Sequence, residues 1–348
     1  MKAVVLVGGE GTRLRPITET IPKPLLWLME RPFLDHVLDH LAGHGVHDVV
    51  LSSSYLESTF HAFIEARHGD PKITWITESE PLGTGGAIVS ALECLDDAPF
   101  FALNGDVLTD LDLTSMIELH RERGASATIA LHHVDDARPF GLVLTRPDGR
   151  VTEFREKPAE LIPGDINAGT YVLDPGPLRE WPQATNISIE RDIFPALIAS
   201  GRPVLGFPSD AYWLDLGTPE KYLQAHFDIL KGKVDGERYS APFVAAGARV
   251  DPRAHLGRWV VVGEGAAVGP DARVDDSVVH PGAIVEAAAS VAGSILGPRS
   301  RVGPGASVSD SALAEGASVA AGATVVGERV SVGQEVGETQ PTDRSEPM

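Results

Sequence analysis

The chain has one cysteine, Cys94, among 348 residues. That excludes an internal disulfide framework and a cysteine-based zinc site, and makes a reducing cytoplasm the expected compartment. No apolar run reaches the ~18 residues of a membrane helix. The opening MKAVVLVGGEG carries one lysine and an apolar stretch too short for a secretory leader, so it reads as a first strand. Positive charge is also scarce. With 29 Lys and Arg against 49 Asp and Glu, the formal charge is −20. So acidic a chain excludes nucleic acid as a general partner, because counterion release needs Lys and Arg gathered on one face. An anionic ligand would have to be met locally, by a few cations and a metal.

Lysine stops altogether at Lys233, and the texture of the chain changes there. Before it, β-branched runs alternate with amphipathic segments. KAVVLVG, DVVLSS, KITWIT and PFFALNGD read as strands; PFLDHVLDHLAGHG, LESTFHAFIEARHG and GTGGAIVSALECL read as helices. This alternation predicts an α/β domain over residues 1–236, with a doubly wound, mainly parallel, Rossmann-like sheet. Ligands bind such sheets beyond the carboxyl ends of the strands, where Gly8 to Gly11 and Asn104-Gly105-Asp106 fall. Cys94 lies in an apolar-periodic helix and is expected to pack there.

Beyond Gly236 small residues and valine dominate. Val244, Val250, Leu256, Val262, Val268 and Val274 recur every six residues. The rhythm then becomes five, six, six from Val279 to Val330, and Ser277, Ser294 and Ser311 share its 17-residue period. Helices repeat near 3.6 residues and half-buried strands near 2, so neither gives six. Short strands joined by turns, wound into a prism with one aliphatic per face pointing inward, do give it. The pattern resembles the left-handed β-helix of hexapeptide-repeat proteins, expected over 240–334. Residues 337–348 lack the period and are expected to form a disordered tail.

The loop GGEGTRLRP fits neither familiar phosphate-binding motif. A Rossmann fingerprint needs a third glycine that is missing, and a Walker A loop needs Lys where Arg13 stands. What remains is a turn whose backbone N–H groups can approach a phosphate, with Arg13 and Lys23 supplying charge. A tight β–α turn with solvated arginines is the plainer alternative.

The longer stretch GGEGTRLRPITETIPKPL resembles the signature of sugar-1-phosphate nucleotidyltransferases. Further motifs of that family follow in order: EPLGTGGAI from Glu80, LNGDV from Leu103, FREKP from Phe154, INAGTYVLDP from Ile166 and YWLDLGTPEKY from Tyr212. They cover about residues 1–230. The nearest branch is that of mannose-1-phosphate guanylyltransferases, which also carry a hexapeptide-repeat domain. The resemblance implies Mg²⁺-assisted in-line condensation of an NTP with a sugar 1-phosphate, giving an NDP-sugar and pyrophosphate. A sugar phosphate is largely dianionic at neutral pH, so it needs no general base. Positioning and electrostatics should carry the catalysis.

The resemblance also implies roles residue by residue. Arg13, Lys23 and Lys157 are the catalytic cations, the first two meeting the triphosphate and the leaving pyrophosphate. Leu6, Gly8, Gly9, Gly11 and Thr12 belong to the nucleotide site, as do Glu78, Glu80, Pro81, Leu82, Gly83, Thr84, Asn104 and Gly105. Asp106 and Asp215 are the Mg²⁺ ligands. Lys157 holds the phosphate of the sugar, Glu156 accepts from its hydroxyls, and Gly141, Asn167 and Gly169 approach its ring.

Guanine offers donors at N1 and N2, which a carboxylate complements. TESEPLGTGG has Glu78 and Glu80 and no Gln, so GTP is the expected nucleotide, although Gly85 stands where the family often has Ala. Alternatives are a thymidylyl- or uridylyltransferase for glucose 1-phosphate, a guanylyltransferase for a cyclitol phosphate, and a non-catalytic regulatory paralogue that binds nucleotide sugar. The intact Arg13, Lys23, Asp106, Lys157 and Asp215 argue against the last. Acyl transfer by the β-helix would need a histidine base, and only His255 and His280 lie there. His36, His40 and His44 have a spacing that could hold Zn²⁺, but no companion Glu motif, and are expected to serve packing and surface roles. The β-helix is expected to mediate assembly, making the protein a homo-oligomer.

Overall fold

A computed structural model describes residues 1–53 and 56–337. The expected tail lies outside the described residues apart from Gly337. The chain separates into two compact units. The first comprises Met1–Glu10, Pro22–Leu25 and Pro32–Leu216; the second comprises Gly11–Ile21, Leu26–Arg31 and Gly217–Met348.

The first unit is built on a nine-stranded sheet. Lys2–Leu6 runs parallel to both Asp48–Ser53 and Phe100–Asn104, and Asp48–Ser53 runs parallel to Lys72–Thr77. Val4, Val5, Leu51 and Phe101 are at most 1% exposed, as strands covered on both faces require. The other half turns antiparallel around the long strand Gly164–Leu173, which pairs with Phe100–Asn104, Ala127–Val134 and Gly141–Thr145. The sheet is therefore mixed. At its edge Gly141–Thr145 and Val151–Glu156 form a hairpin closed by Arg146 N donating to the Arg150 carbonyl at 2.8 Å. That connection is too short for a crossover helix. The parallel strands end in register, Leu6 beside Ser52 and Asn104, so the loops that follow them leave from one edge.

Cys94 ends a short 3₁₀ turn after the helix Gly83–Ala91 and packs against the core. In the helix Phe33–Gly43, burial lowers the His40 pKa to about 4, and its ring meets that of His44 edge-on at 4.9 Å. His44 Nδ1 contacts Thr114 Oγ1 at 2.8 Å.

In the second unit, three parallel sheets of short strands wind into the left-handed β-helix. Val262, Val279, Leu296, Leu313 and Val330 stack in register on one face and are buried. Val244, by contrast, is 41% exposed, on the first strand of its sheet. The 17-residue rhythm has a geometric cause. One corner of each later coil is closed by a single left-handed residue: Asp276 (φ 42°), Gly293 (φ 57°), Asp310 (φ 48°) and Gly327 (φ 67°). The serines follow that corner. Each Oγ donates to the carbonyl two residues back, at 2.6–2.7 Å, and accepts the N–H of the residue one coil on. Ser294 N thus meets Ser277 Oγ at 3.0 Å, Ser311 N meets Ser294 Oγ at 3.1 Å, and Glu328 N meets Ser311 Oγ at 3.0 Å.

Replacing Ser294 by Ala leaves the buried Ser311 N–H without an acceptor, at a cost of about 1–3 kcal/mol. Thermal unfolding should show a drop for Ser294→Ala and almost none for Ser307→Ala on the same prism; equal drops would remove the ladder as a stabilising device. Acid should also weaken this unit. His280 is fully buried, and burial lowers its pKa from 6.5 to about 4. The unfolded chain then binds the proton first, so stability present above pH 6.5 is lost as the pH falls toward 4. His280→Gln should flatten that part of the stability–pH curve.

Candidate active site

Lys23 is buried, with its ammonium 2.6 Å from Asp106 Oδ2 and 3.5 Å from Asp215 Oδ1. The aspartates are far apart in sequence and are joined by strand pairing. Asp106 occupies the turn between Phe100–Asn104 and Val107–Thr109, and Asp215 ends Trp213–Asp215, which pairs antiparallel with Val107–Thr109. Leu216 N closes the pair by donating to the Asp106 carbonyl at 3.0 Å. Gly105 makes the turn possible: a Cβ there would lie 2.7 Å from the Leu6 carbonyl oxygen. Asp215 caps no helix; Thr218 does that for Pro219–Leu230. Two carboxylates already sharing one cation fit a divalent ion, whose remaining sites phosphate oxygens and water would fill. No group of three or more His, Cys, Asp or Glu suited to a metal occurs among the described residues.

Gly8 and Gly9 follow the strand that ends at Leu6. A Cβ at Gly9 would meet no protein atom within 4 Å, and at Gly8 none nearer than 3.8 Å. Protein packing therefore demands neither glycine, and the open backbone is available to a ligand. Asn104 Oδ1 is buried without a hydrogen-bond partner, a second polar group left for something else to satisfy.

Beside it lies the INAGT loop. Gly169 has φ +75°, and a Cβ there would strike Asn104 Nδ2 at 2.7 Å. Asn167 Oδ1 accepts from Gly169 N at 3.0 Å, while Asn167 Nδ2 donates to the Tyr171 hydroxyl at 2.8 Å. Burial, with Glu190 close by, raises the Tyr171 pKa well above 10.0, so the hydroxyl keeps its proton. Trp213 Nε1 fixes the loop from the other side through the Ala168 carbonyl at 2.9 Å. Glu156 ends the strand Val151–Glu156, and the next residue, Lys157, takes a left-handed φ of 47°. A non-glycine residue held there is strained, as functional positions often are. Lys157 is exposed, with Nζ 3.6 Å from Glu156 Oε1. A Cβ at Gly141 would collide with the Phe154 ring at 2.6 Å and approach Glu156 Oε2 at 3.0 Å.

The two glutamates expected to read the base have different surroundings. Glu78 is buried, and both carboxylate oxygens are engaged: Oε1 accepts from Ser52 Oγ at 2.8 Å and Oε2 from Leu82 N at 3.1 Å. These two bonds hold the loop and leave each oxygen with one further lone pair. Glu80, by contrast, is exposed. Gly83 likewise answers to packing, since a Cβ would lie 2.6 Å from the Ile187 carbonyl oxygen. Gly85 N and Gly86 N both donate to that same carbonyl, and Asn186 Nδ2 donates to the Pro81 carbonyl at 2.7 Å.

Sequence reading missed Glu190. Its Oε2 accepts from Thr84 Oγ1 at 2.8 Å and from Ser188 Oγ at 2.7 Å, and its Oε1 lies 3.5 Å from the Tyr171 hydroxyl. Glu190 thereby links the Leu82–Thr84 loop to Asn167 through one carboxylate. It sits in a π-helical turn, Ile189–Ile193, a geometry frequent at functional sites. Ser52 and Trp213 were missed as well; no local motif marks a residue whose partner is brought by the sheet.

Gly11, Thr12 and Arg13 belong to the second unit. Gly11 takes a left-handed conformation (φ 59°, ψ 33°) and caps the 3₁₀ turn Thr12–Leu14. Its carbonyl accepts from Leu14 N at 2.9 Å and Thr18 Oγ1 at 2.8 Å. Arg13 projects from this turn, exposed and with no side-chain partner among the described residues.

A paired-aspartate site at the carboxyl edge of such a sheet, followed by a β-helix, defines a class. Residues 2–232 match the family described as Nucleotidyl transferase and residues 240–340 the GMPPB C-terminal domain, so the chain belongs to the nucleotidyl transferase family. Among its relatives is a mannose-1-phosphate guanylyltransferase of Mycobacterium tuberculosis, 40% identical over 300 residues that span 83% of this chain and 82% of that protein. A probable mannose-1-phosphate guanylyltransferase of Arabidopsis thaliana is 36% identical over 85% of this chain and 86% of that protein. The crystal structure of HddC from Yersinia pseudotuberculosis, including one described as complexed with GMP-PN, is 33% identical with a TM-score of 0.57. It covers 64% of this chain and 97% of its own.

The different work of the two glutamates is measurable. Glu78→Leu should lower unfolding stability by about 1–3 kcal/mol, because the buried Leu82 N–H loses its acceptor, whereas Glu80→Gln should stay within ~0.5 kcal/mol of the parent. Chemical denaturation of both variants decides it, and similar values would remove the Glu78 contacts as a stabilising feature of the loop.

Proposed function

We propose that this chain is a mannose-1-phosphate guanylyltransferase, condensing GTP with mannose 1-phosphate to GDP-mannose and pyrophosphate. The observation that carries the reading is Asp106 and Asp215 converging on Lys23 in a chain 40% identical to an enzyme of that name. The neighbour solved with GMP-PN supports a guanine nucleotide.

In the reaction, an oxygen of the sugar phosphate attacks the α-phosphorus of GTP, the new P–O bond forms, and the bond to the β-phosphate oxygen breaks with pyrophosphate leaving. The nucleophile is already anionic, so the protein's task is to hold two repelling anions in line. Asp106 and Asp215 would hold a divalent cation, Mg²⁺, which would neutralise charge on the phosphate oxygens. Lys23 adds a cation beside those carboxylates, and Arg13 is assigned to the triphosphate. Lys157, set at the end of its strand with backbone N–H fixed by the Phe140 carbonyl at 3.0 Å, receives the phosphate of the sugar. Glu156 accepts from sugar hydroxyls, with Asn167 and Gly169 against the ring. The open backbone at Gly8 and Gly9 supports close approach of the nucleotide phosphates.

No described helix is long and apolar enough to cross a membrane. With one cysteine in the chain, a cytoplasmic location fits. The exposed apolar Val244, at 41% on the first rung, is the observation that supports homo-oligomerisation through the β-helix.

Pyrophosphate release measured across the four NTPs and a panel of sugar 1-phosphates tests the reading, with GTP and mannose 1-phosphate expected to lead. A preference for dTTP or UTP would overturn the guanylyl assignment and leave the transferase class intact. Asp106→Asn and Asp215→Asn should each cut kcat by ~100-fold or more while circular dichroism stays unchanged. Lys157→Ala should raise KM for the sugar phosphate far more than for GTP. Near-normal turnover in either aspartate variant would remove that residue from the metal site.

A further inference from the structure

The loop carrying Arg13 folds as part of the same compact unit as the β-helix, and the β-helix holds it. On the sheet formed by Ile295–Leu296, Ala312–Leu313 and Arg329–Val330, the inward residues Leu296, Leu313 and Val330 fill the prism. Their neighbours Ile295, Ala312 and Arg329 therefore point outward, stacked in register. Ile295 and Ala312 are nevertheless only 1% and 4% exposed, because Leu14, Ile17 and Tyr222 pack over them.

On the next rung the outward residue is an arginine. Arg329 Nη1 donates to the Arg13 carbonyl at 3.2 Å and to the Arg15 carbonyl at 3.1 Å. These two carbonyls lie on either side of Leu14, at the end of the turn from which Arg13 projects. Further along the loop, Glu19 accepts from Val332 N at 3.2 Å and Ser331 Oγ at 3.4 Å. Thr20 Oγ1 donates to Glu315 Oε2 at 2.7 Å. An apolar seat fixes the height of the loop, and Arg329 fixes the orientation of its turn.

We propose that Arg329 is a positioning residue for nucleotide binding: by holding the Arg13 and Arg15 carbonyls it sets the direction of the Arg13 guanidinium, so the β-helix governs affinity for the triphosphate. The proposal rests on the reading that Arg13 meets the triphosphate and the leaving pyrophosphate. Arg329 itself touches neither substrate in this account.

The test is steady-state kinetics of the full chain in both directions. Arg329→Ala should raise KM for GTP, and for pyrophosphate in the reverse reaction, by roughly tenfold, about the loss of one charged hydrogen-bonding group. KM for mannose 1-phosphate should stay within about twofold, a split that general loss of folded protein would not produce. Arg329→Lys, whose ammonium can still donate to both carbonyls, should restore most of the affinity. Arg301→Ala, which removes a β-helix arginine paired with Glu286, should change nothing. If Arg329→Ala does not fold, Glu19→Gln should give a smaller rise in the same KM for GTP alone. An unchanged KM for GTP, or equal rises for both substrates, overturns the proposal. Arg13→Ala run in parallel separates the two levels. If it weakens GTP while Arg329→Ala does not, only the positioning role falls. If Arg13→Ala leaves GTP affinity intact, the reading of Arg13 falls and the proposal with it.

Discussion

A buried ammonium between two carboxylates is the constraint around which the first unit is arranged. The buried Lys23 ammonium is paired with Asp106 and Asp215, and those carboxylates would repel each other without it. Holding the three together requires the antiparallel pairing of Val107–Thr109 with Trp213–Asp215, and the turn before that pair requires Gly105 against the Leu6 carbonyl. One cation against two carboxylates leaves this cluster net negative in a chain of formal charge −20, so an anionic substrate needs further positive charge at the site.

Around this centre, glycines that look alike in sequence answer to different demands. Gly83, Gly85 and Gly86 let the backbone of residues 185–189 approach closely, and their N–H groups or missing side chains are consumed by protein. Gly8 and Gly9 have open space instead, which is what a phosphate-binding backbone needs. Glu190 joins neighbouring segments: through Thr84 and Tyr171 it ties the Leu82–Thr84 loop to Asn167. One half-buried carboxylate thus bridges three segments that are distant in sequence.

The β-helix shows the same economy at longer range. Its interior is filled by one aliphatic per rung, and its serine ladder satisfies backbone groups at the corner where a coil is one residue short. The face bearing Val261, Val278 and Ile295 is apolar outward as well as inward, and all three are buried. That doubled pattern marks a face that is covered and not solvated.

The sequence alone determined the β-helix register, because a period of six can be satisfied by few structures, and it determined which residue types gather at the carboxyl edge of the sheet. It also carried the family, through six motifs that occur in order over about residues 1–230. Tertiary structure decided the rest. The antiparallel half of the sheet depended on the strand Gly164–Leu173 being placed between Phe100–Asn104 and Ala127–Val134. The work of Glu78 depended on Ser52 and Leu82 N arriving at its two oxygens, which no spacing announces. The alliance of Arg329 with the loop of Arg13 joins residues more than three hundred positions apart. Periodicity and local chemistry are written along the chain, whereas a hydrogen bond between distant segments exists only once the strands that carry them have been placed.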